Sequence, residues 1–148
     1  MNHQIAKART ENRYFQKLLK FVRPEGLRCP HCGHQDGFSK CRRHKESWIP
    51  DYCCPDCHHV FNAWTGTELK GTHHPPSELW SFIKGIARGE STTQWAQALQ
   101  CQRRPLARLR RKLQRRVTEV FGPPPKKSAA KKSRRKTADA RGVSKRRN

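Results

Sequence analysis

The chain has 148 residues, enough for one or two small domains but too few for a large core plus a catalytic domain. Lys and Arg number 33 against 11 acids, a formal net charge of +22, and only 33% of residues are hydrophobic. That imbalance excludes an ordinary balanced surface and points to a polyanionic partner, nucleic acid first. No run approaches the roughly 18 apolar residues of a membrane span. Residues 1–9 lack the apolar core of a secretory signal.

In chain order, residues 11–22 read as a short helix, with Tyr14, Phe15, Leu18, Leu19 and Val22 at helical spacing. Pro24 and Gly26 stop it. We treat residues 1–26 as an N-terminal helical segment whose apolar stripe packs on residues 27–72.

Residues 27–72 carry the sharpest motif. Cys29-Pro-His-Cys32 and Cys54-Pro-Asp-Cys57 are two Cys-x-x-Cys pairs with 21 residues between them. The two-residue gap lets a tight turn place both sulfurs of a pair about 2.3 Å from one metal ion. Proline after the first cysteine presets the turn, and Gly33 can take the positive φ that releases the chain. The competing reading is a pair of disulfides or redox dithiols. Seven cysteines in a cytosolic chain suit a metal better. We therefore expect Cys29, Cys32, Cys54 and Cys57 to hold one structural zinc ion, with no open position for catalysis. Phe38–Cys41, Trp48–Cys53 and Val60–Ala63 read as short antiparallel strands, and Thr65-Gly66-Thr67 as a turn. Together these describe a zinc ribbon that buries too little apolar area to be stable without its metal.

Cys53 and Cys54 are adjacent, so only one can be a ligand. Cys54 has the spacing to Cys57 and the following proline; Cys53 then points to the other face of its strand. Cys41 and Cys101 are expected to be small buried side chains. His31, His34, His58 and His59 flank the knuckles, but four sulfurs already complete a tetrahedron. His73-His74 reads as surface loop.

Residues 75–121 read as three helices. Ser77 is an expected N-cap, followed by the stripe Leu79, Trp80, Ile83, Ile86 and Ala87, with Gly89 just past the end. Ser91-Thr-Thr-Gln94 has the form of a capping box opening a second helix whose inner face is Trp95, Ala98 and Leu99. After a turn at Gln100-Cys101-Gln102, Pro105 sits near the start of the third helix. There Leu106, Leu109, Leu113, Val117 and Val120 share one face, and Arg104, Arg108, Arg111 and Arg115 line the opposite one. Short helix, tight turn and basic second helix describe helix-turn-helix geometry, in which an apolar back docks on the domain and a basic front meets the major groove. Gln102, Arg103, Arg104 and Arg108 are the expected base and register contacts, with Arg111 and Arg115 on phosphates. Residues 122–148, opened by Gly122-Pro-Pro-Pro125, are rich in Lys, Arg, Ser and Ala, and composition predicts a disordered basic tail. Lys131, Lys132, Arg134 and Arg135 in that tail are expected to bind phosphate non-specifically.

An ordered series of residues now resembles a known family. The run Arg23-Pro-Glu-Gly-Leu-Arg-Cys29-Pro-His-Cys32-Gly33 is similar to the start of the zinc-ribbon module of certain bacterial insertion-sequence transposases of the DDE type. The resemblance continues through Tyr52, Cys54, Cys57, His59, Phe61, Thr65-Gly66-Thr67, Pro76, Leu79, Trp80 and Ile83. It ends in Ser91–Leu99, which is similar to the first part of that family's helix-turn-helix, and it covers about residues 15 to 117. In that family the module recognises the element's terminal DNA and a nuclease domain with an Asp/Asp/Glu metal triad follows it. Two departures stand out. Gln100 occupies a turn position where the family usually has Gly, and no stretch here offers three carboxylates able to hold two Mg²⁺ ions.

The expected protein is thus a small α+β chain: zinc ribbon, three-helix helix-turn-helix segment and basic tail. It binds duplex DNA, has no transposase catalysis of its own and no small-molecule substrate, and works in the cytoplasm on the nucleoid. A homodimer or a transposase partner would fit. The competing readings are an RNA-binding or ribosome-associated zinc ribbon, an accessory subunit of a transposase, and a dithiol oxidoreductase.

Overall fold

Four helices and one three-stranded antiparallel sheet make up a small α+β fold over residues 2–42 and 48–125, the part described by the computed structural model. The elements are α1 (Asn2–Val22), β1 (Ser39–Arg42), β2 (Asp51–Cys53), β3 (Val60–Asn62), α2 (Pro76–Ala87), α3 (Thr92–Ala98) and α4 (Arg103–Phe121). The tail residues Lys131, Lys132, Arg134 and Arg135 lie outside the described residues. Among the described residues no helix is long and apolar enough to cross a membrane.

α1 begins well before the predicted Glu11. Residues 4–10 are exposed, and Gln4–Thr10 contains no breaker, so propensity alone extends the helix where packing does not. Its inner face is Phe15, Leu18 and Phe21; Tyr14, Leu19 and Val22 lie at the border. Glu11 belongs to the same face and is 5% exposed. Its carboxylate accepts from the Ser77 N–H at 3.0 Å and from the Ser77 hydroxyl at 2.6 Å. This corrects the N-cap expected at Ser77. Pro75 is the N-cap position and makes no side-chain cap bond, and Pro76 opens α2. A carboxylate from α1 thus satisfies an orphan donor of α2 and meets the positive end of its dipole.

The sheet runs in the order β1-β2-β3. Tyr52 pairs with Phe61 across β2 and β3, and both rings are buried, 6.1 Å apart. Cys53 alternates onto the other face, half-buried, as a period of two requires. Between Lys40 and Arg42 the β1–β2 register shifts, which leaves Cys41 on a bulge. Cys41 is therefore exposed, not buried as predicted, and Cys101 is half-buried.

After β3 the chain turns through Trp64–Thr67. The Asn62 side-chain oxygen accepts from the Trp64 N–H at 3.0 Å, and the Thr67 hydroxyl donates to Trp64 O at 2.8 Å. Arg23, just past α1, donates from Nε to Ala63 O at 3.1 Å and from Nη2 to Thr65 O. Trp64 is buried on Phe15, with ring centroids 5.4 Å apart. The ribbon is thereby fastened to α1 by both a guanidinium and an aromatic pair.

α2 buries Leu79, Phe82, Ile83 and Ile86, and Gly89 ends it at φ +74° as predicted. The Gly89 N–H reaches Ile86 O and the Glu90 N–H reaches Gly85 O. Ser91 and Gln94 form the predicted capping box of α3. The inner residue of α3 is Ala96; Ala98 is exposed, because a helix of two turns offers α4 only a narrow edge. α4 buries Leu106, Leu109, Leu113 and Val117, whereas Val120 is 52% exposed, beyond the end of its packing partners. One contiguous apolar cluster joins these side chains to those of α1 and the ribbon, and it includes Cys29 and Cys54.

Candidate metal centre and basic helix

Each Cys-x-x-Cys pair folds as a knuckle with the same hydrogen bonds. In the first, the Gly33 N–H donates to Cys29 O at 3.0 Å and the Cys29 N–H to His34 O at 2.8 Å. In the second, the His58 N–H donates to Cys54 O and the Cys54 N–H to His59 O, both at 3.0 Å. The residue after the second cysteine is left-handed in both: Gly33 at φ +80° and His58 at φ +56°. Glycine suits that conformation without cost, and histidine tolerates it at about 1 kcal/mol.

The two knuckles face each other. The Sγ atoms of Cys29, Cys32, Cys54 and Cys57 all lie within 4.8 Å of one another. Cys29 Sγ is 3.6 Å from Cys57 Sγ, and Cys32 Sγ is 3.5 Å from Cys54 Sγ. A tetrahedral ion with metal–sulfur bonds of about 2.3 Å would separate its sulfurs by about 3.8 Å, so the cluster could hold one metal ion with little adjustment. All seven cysteines are free thiols, and sulfur pairs at these separations are not disulfides. Cys54 is fully buried in the cluster and Cys53 is not part of it, so spacing and structure agree on the ligand.

The knuckle backbone is built to meet thiolates. Burial opposes ionisation of Cys29, but the N–H groups of Cys32 and His31 aim at its sulfur and pull its pKa to about 6. Around Cys32 the N–H of His34 favours the thiolate; burial and the three neighbouring sulfurs outweigh it and push the thiol to about 12. Cys29 and Cys32 of one knuckle are thus pushed in opposite directions, and a cation held between them would favour both thiolates.

The histidines lie around the sulfurs, not among them. His34 Nδ1 is 2.7 Å from an Asp56 carboxylate oxygen, bridging the first knuckle to the second. The rings of His31 and His59 stack across the same junction, with centroids 5.6 Å apart. His73 is exposed; His74 is half-buried with Nδ1 3.3 Å from Glu78 Oε2.

α4 divides as its pattern predicts. Opposite the buried leucines, Arg104, Arg108 and Arg111 are exposed, with no hydrogen bond or ion pair among the described residues. Arg115 is exposed and pairs with Glu119 at 3.3 Å. Gln102 is the N-cap position of α4, and Arg103 opens its first turn; both are exposed. Pro105 falls in that first turn too, where its missing N–H would have no partner. Two arginines on the flanks do other work. Arg110 Nη1 donates to Glu90 O and to Thr92 Oγ1 at 3.3 Å, fixing α4 against the start of α3. Arg116 Nε donates to Phe21 O at 2.9 Å, fixing it against the end of α1.

Glu90 braces the same junction. Its carboxylate accepts from Arg88 Nε at 2.6 Å and from Trp95 Nε1 at 2.8 Å, and these bonds hold its pKa below the usual carboxylate range. Neither Glu90, Arg110 nor Arg116 stood out in the sequence. Glu11 could have been found, because it falls on the stripe of Phe15 and Leu18 at helical spacing. Between α3 and α4, Gln100 adopts φ +50°, the left-handed state that a glycine would take freely.

No family model, curated protein or solved structure matches this chain.

Proposed function

We propose that the protein binds duplex DNA, with zinc at Cys29, Cys32, Cys54 and Cys57 holding a ribbon against a helix-turn-helix made of α3, the turn at Gln100–Gln102, and α4. A four-thiolate tetrahedral site with no redox demand is zinc's habitual setting. The observation that carries the reading is the row Arg104, Arg108 and Arg111, unpaired among the described residues and set opposite the buried Leu106, Leu109, Leu113 and Val117. A helix this sided can dock its back on α2 and α3 and lay its front in the major groove. Gln102, Arg103, Arg104 and Arg108 are the base and register contacts in this reading; Arg111, Arg115 and the tail cations are phosphate contacts. The net charge of +22 supplies the attraction. Kinship with the DNA-binding part of insertion-sequence transposases rests on the ordered residues from Arg23 to Leu99, and the role assigned is binding, not strand transfer, on the nucleoid.

Selection of bound duplexes from a random pool, at a stated salt concentration, tests it. A reproducible sequence should emerge. Arg104→Ala and Arg108→Ala should each relax preference at a base position by about 1–3 kcal/mol, while Arg111→Ala should weaken all duplexes alike and reduce the salt slope by about 1. Tighter binding to structured RNA than to any selected duplex would replace this reading with that of an RNA-binding ribbon.

A further inference from the structure

A cleft of about 440 Å³ opens between the ribbon exit and the first half of α4. Residues 70–74 form one wall, and Cys101, Gln102 and the face of α4 from Pro105 to Lys112 that carries Leu106, Arg108 and Leu109 form the other. Its floor is apolar: Leu106 and Leu109 are buried, and Pro105 adjoins them. Its rim is cationic, with Lys70, Arg108 and Lys112 all exposed. His73 and His74 add two flat rings. Among the described residues that line it, none carries a carboxylate. Glu78, the acid that touches the wall, is held by His74.

A surface that only followed phosphates would need the cations and not the recess. An apolar floor under a ring of positive charge suits a ligand with a flat apolar body and an anionic end, and the volume lies within the range of small-ligand pockets. A nucleotide out of its duplex has both parts: a base face that seeks apolar cover and a phosphate that seeks cations. Arg108 and Gln102 belong to the cleft and to the proposed DNA-reading end of α4 at once. A duplex lying on that helix would bring its strand to the cleft mouth.

We propose that this cleft receives one unpaired deoxynucleotide of the DNA that α4 contacts. The protein then prefers a duplex with a single-stranded overhang over a blunt one. The inference rests on the DNA-binding reading above, and the test separates the two. The zinc-loaded full chain is titrated into a blunt duplex and into the same duplex with an overhang carrying 2-aminopurine. The overhang should bind about fivefold tighter, the low end for a base held on a protein surface, since the floor is aliphatic. The 2-aminopurine emission should change on binding. Lys70 lies off α4, so Lys70→Ala should abolish the overhang preference while blunt-duplex affinity stays within about twofold, the loss of one peripheral phosphate contact at most. Equal affinity for both duplexes, or an equal loss on both in Lys70→Ala, overturns the cleft assignment and leaves the DNA reading standing. Failure to bind either duplex overturns both.

Discussion

Gly85 faces Trp95 where α2 meets α3, and the contact leaves no room for a methyl group. A Cβ added at Gly85 would stand 2.6 Å from Trp95 Cε2 and 2.7 Å from Cζ2, and closer still to Nε1. Real contacts of that kind need roughly another ångström, so the indole must move. It is not free to do so. Its N–H donates to Glu90 at 2.8 Å, and its ring meets Phe82 edge-on at 5.8 Å. Overpacking of this sort costs about 1–3 kcal/mol. Losing the bond to a carboxylate and the aromatic contact adds about 1–2 kcal/mol, taken low because the site is only part-buried. Against this, alanine in a helix interior is worth about 1 kcal/mol over glycine. Gly85→Ala should therefore destabilise by about 2 kcal/mol and lower Tm by about 8 °C for a domain of this size. Urea titration and thermal melting of the zinc-loaded protein measure it. In a Trp95→Ala background the same change should be neutral or stabilising, since the obstruction is gone. A rise in Tm from Gly85→Ala alone would refute the α2–α3 packing, and with it the brace that sets the direction of α4.

Cys54→Ser should abolish metal binding, whereas Cys53→Ser and Cys41→Ser should keep one ion per chain, as measured by metal content after dialysis. Gln100→Gly should relieve the left-handed turn and stabilise by up to about 1 kcal/mol in denaturant titration; Gln100→Val should destabilise instead. Glu11→Ala should cost about 2 kcal/mol, because two donors at Ser77 lose a buried carboxylate. Because Glu90 has a lowered folded-state pKa, its contribution is present above the unfolded carboxyl range and is lost as pH falls through the folded value. Thermal melts from pH 7 down to about pH 3 should thus show a shallower acid decline in Glu90→Gln than in the parent protein.

Local chemistry was legible in the sequence because its partners are close in the chain. The knuckles, the Ser91–Gln94 capping box, the Gly89 stop and the two-sided pattern of α4 each depend on residues within a few positions. Cys54 could be told from Cys53 by spacing alone, and the cluster of four sulfurs follows it. What escaped the sequence depends on distant partners. Ser77 reads as an N-cap, but Glu11, 66 residues away, takes its donors. Phe21 and Phe82 sit beside the expected stripes, and each is buried because a second aromatic, Trp80 or Trp95, closes over it. Cys41 looks like a small core residue in a strand pattern, yet a bulge turns it outward. Arg110 and Arg116 are indistinguishable in composition from the arginines of the exposed row, and only their carbonyl partners set them apart.

Two of the four clustered sulfurs, those of Cys29 and Cys54, also belong to the apolar interior that α1, α2 and α4 share. Whatever disturbs the knuckles is thus felt at the far helix, with no linker to absorb it. Chelation or oxidation of the thiols would not trim away one peripheral module; it would loosen the surface that carries the arginines. If the cage holds a metal and the arginine row binds a polyanion, as proposed above, occupancy of the one and strength of the other would rise and fall as one property.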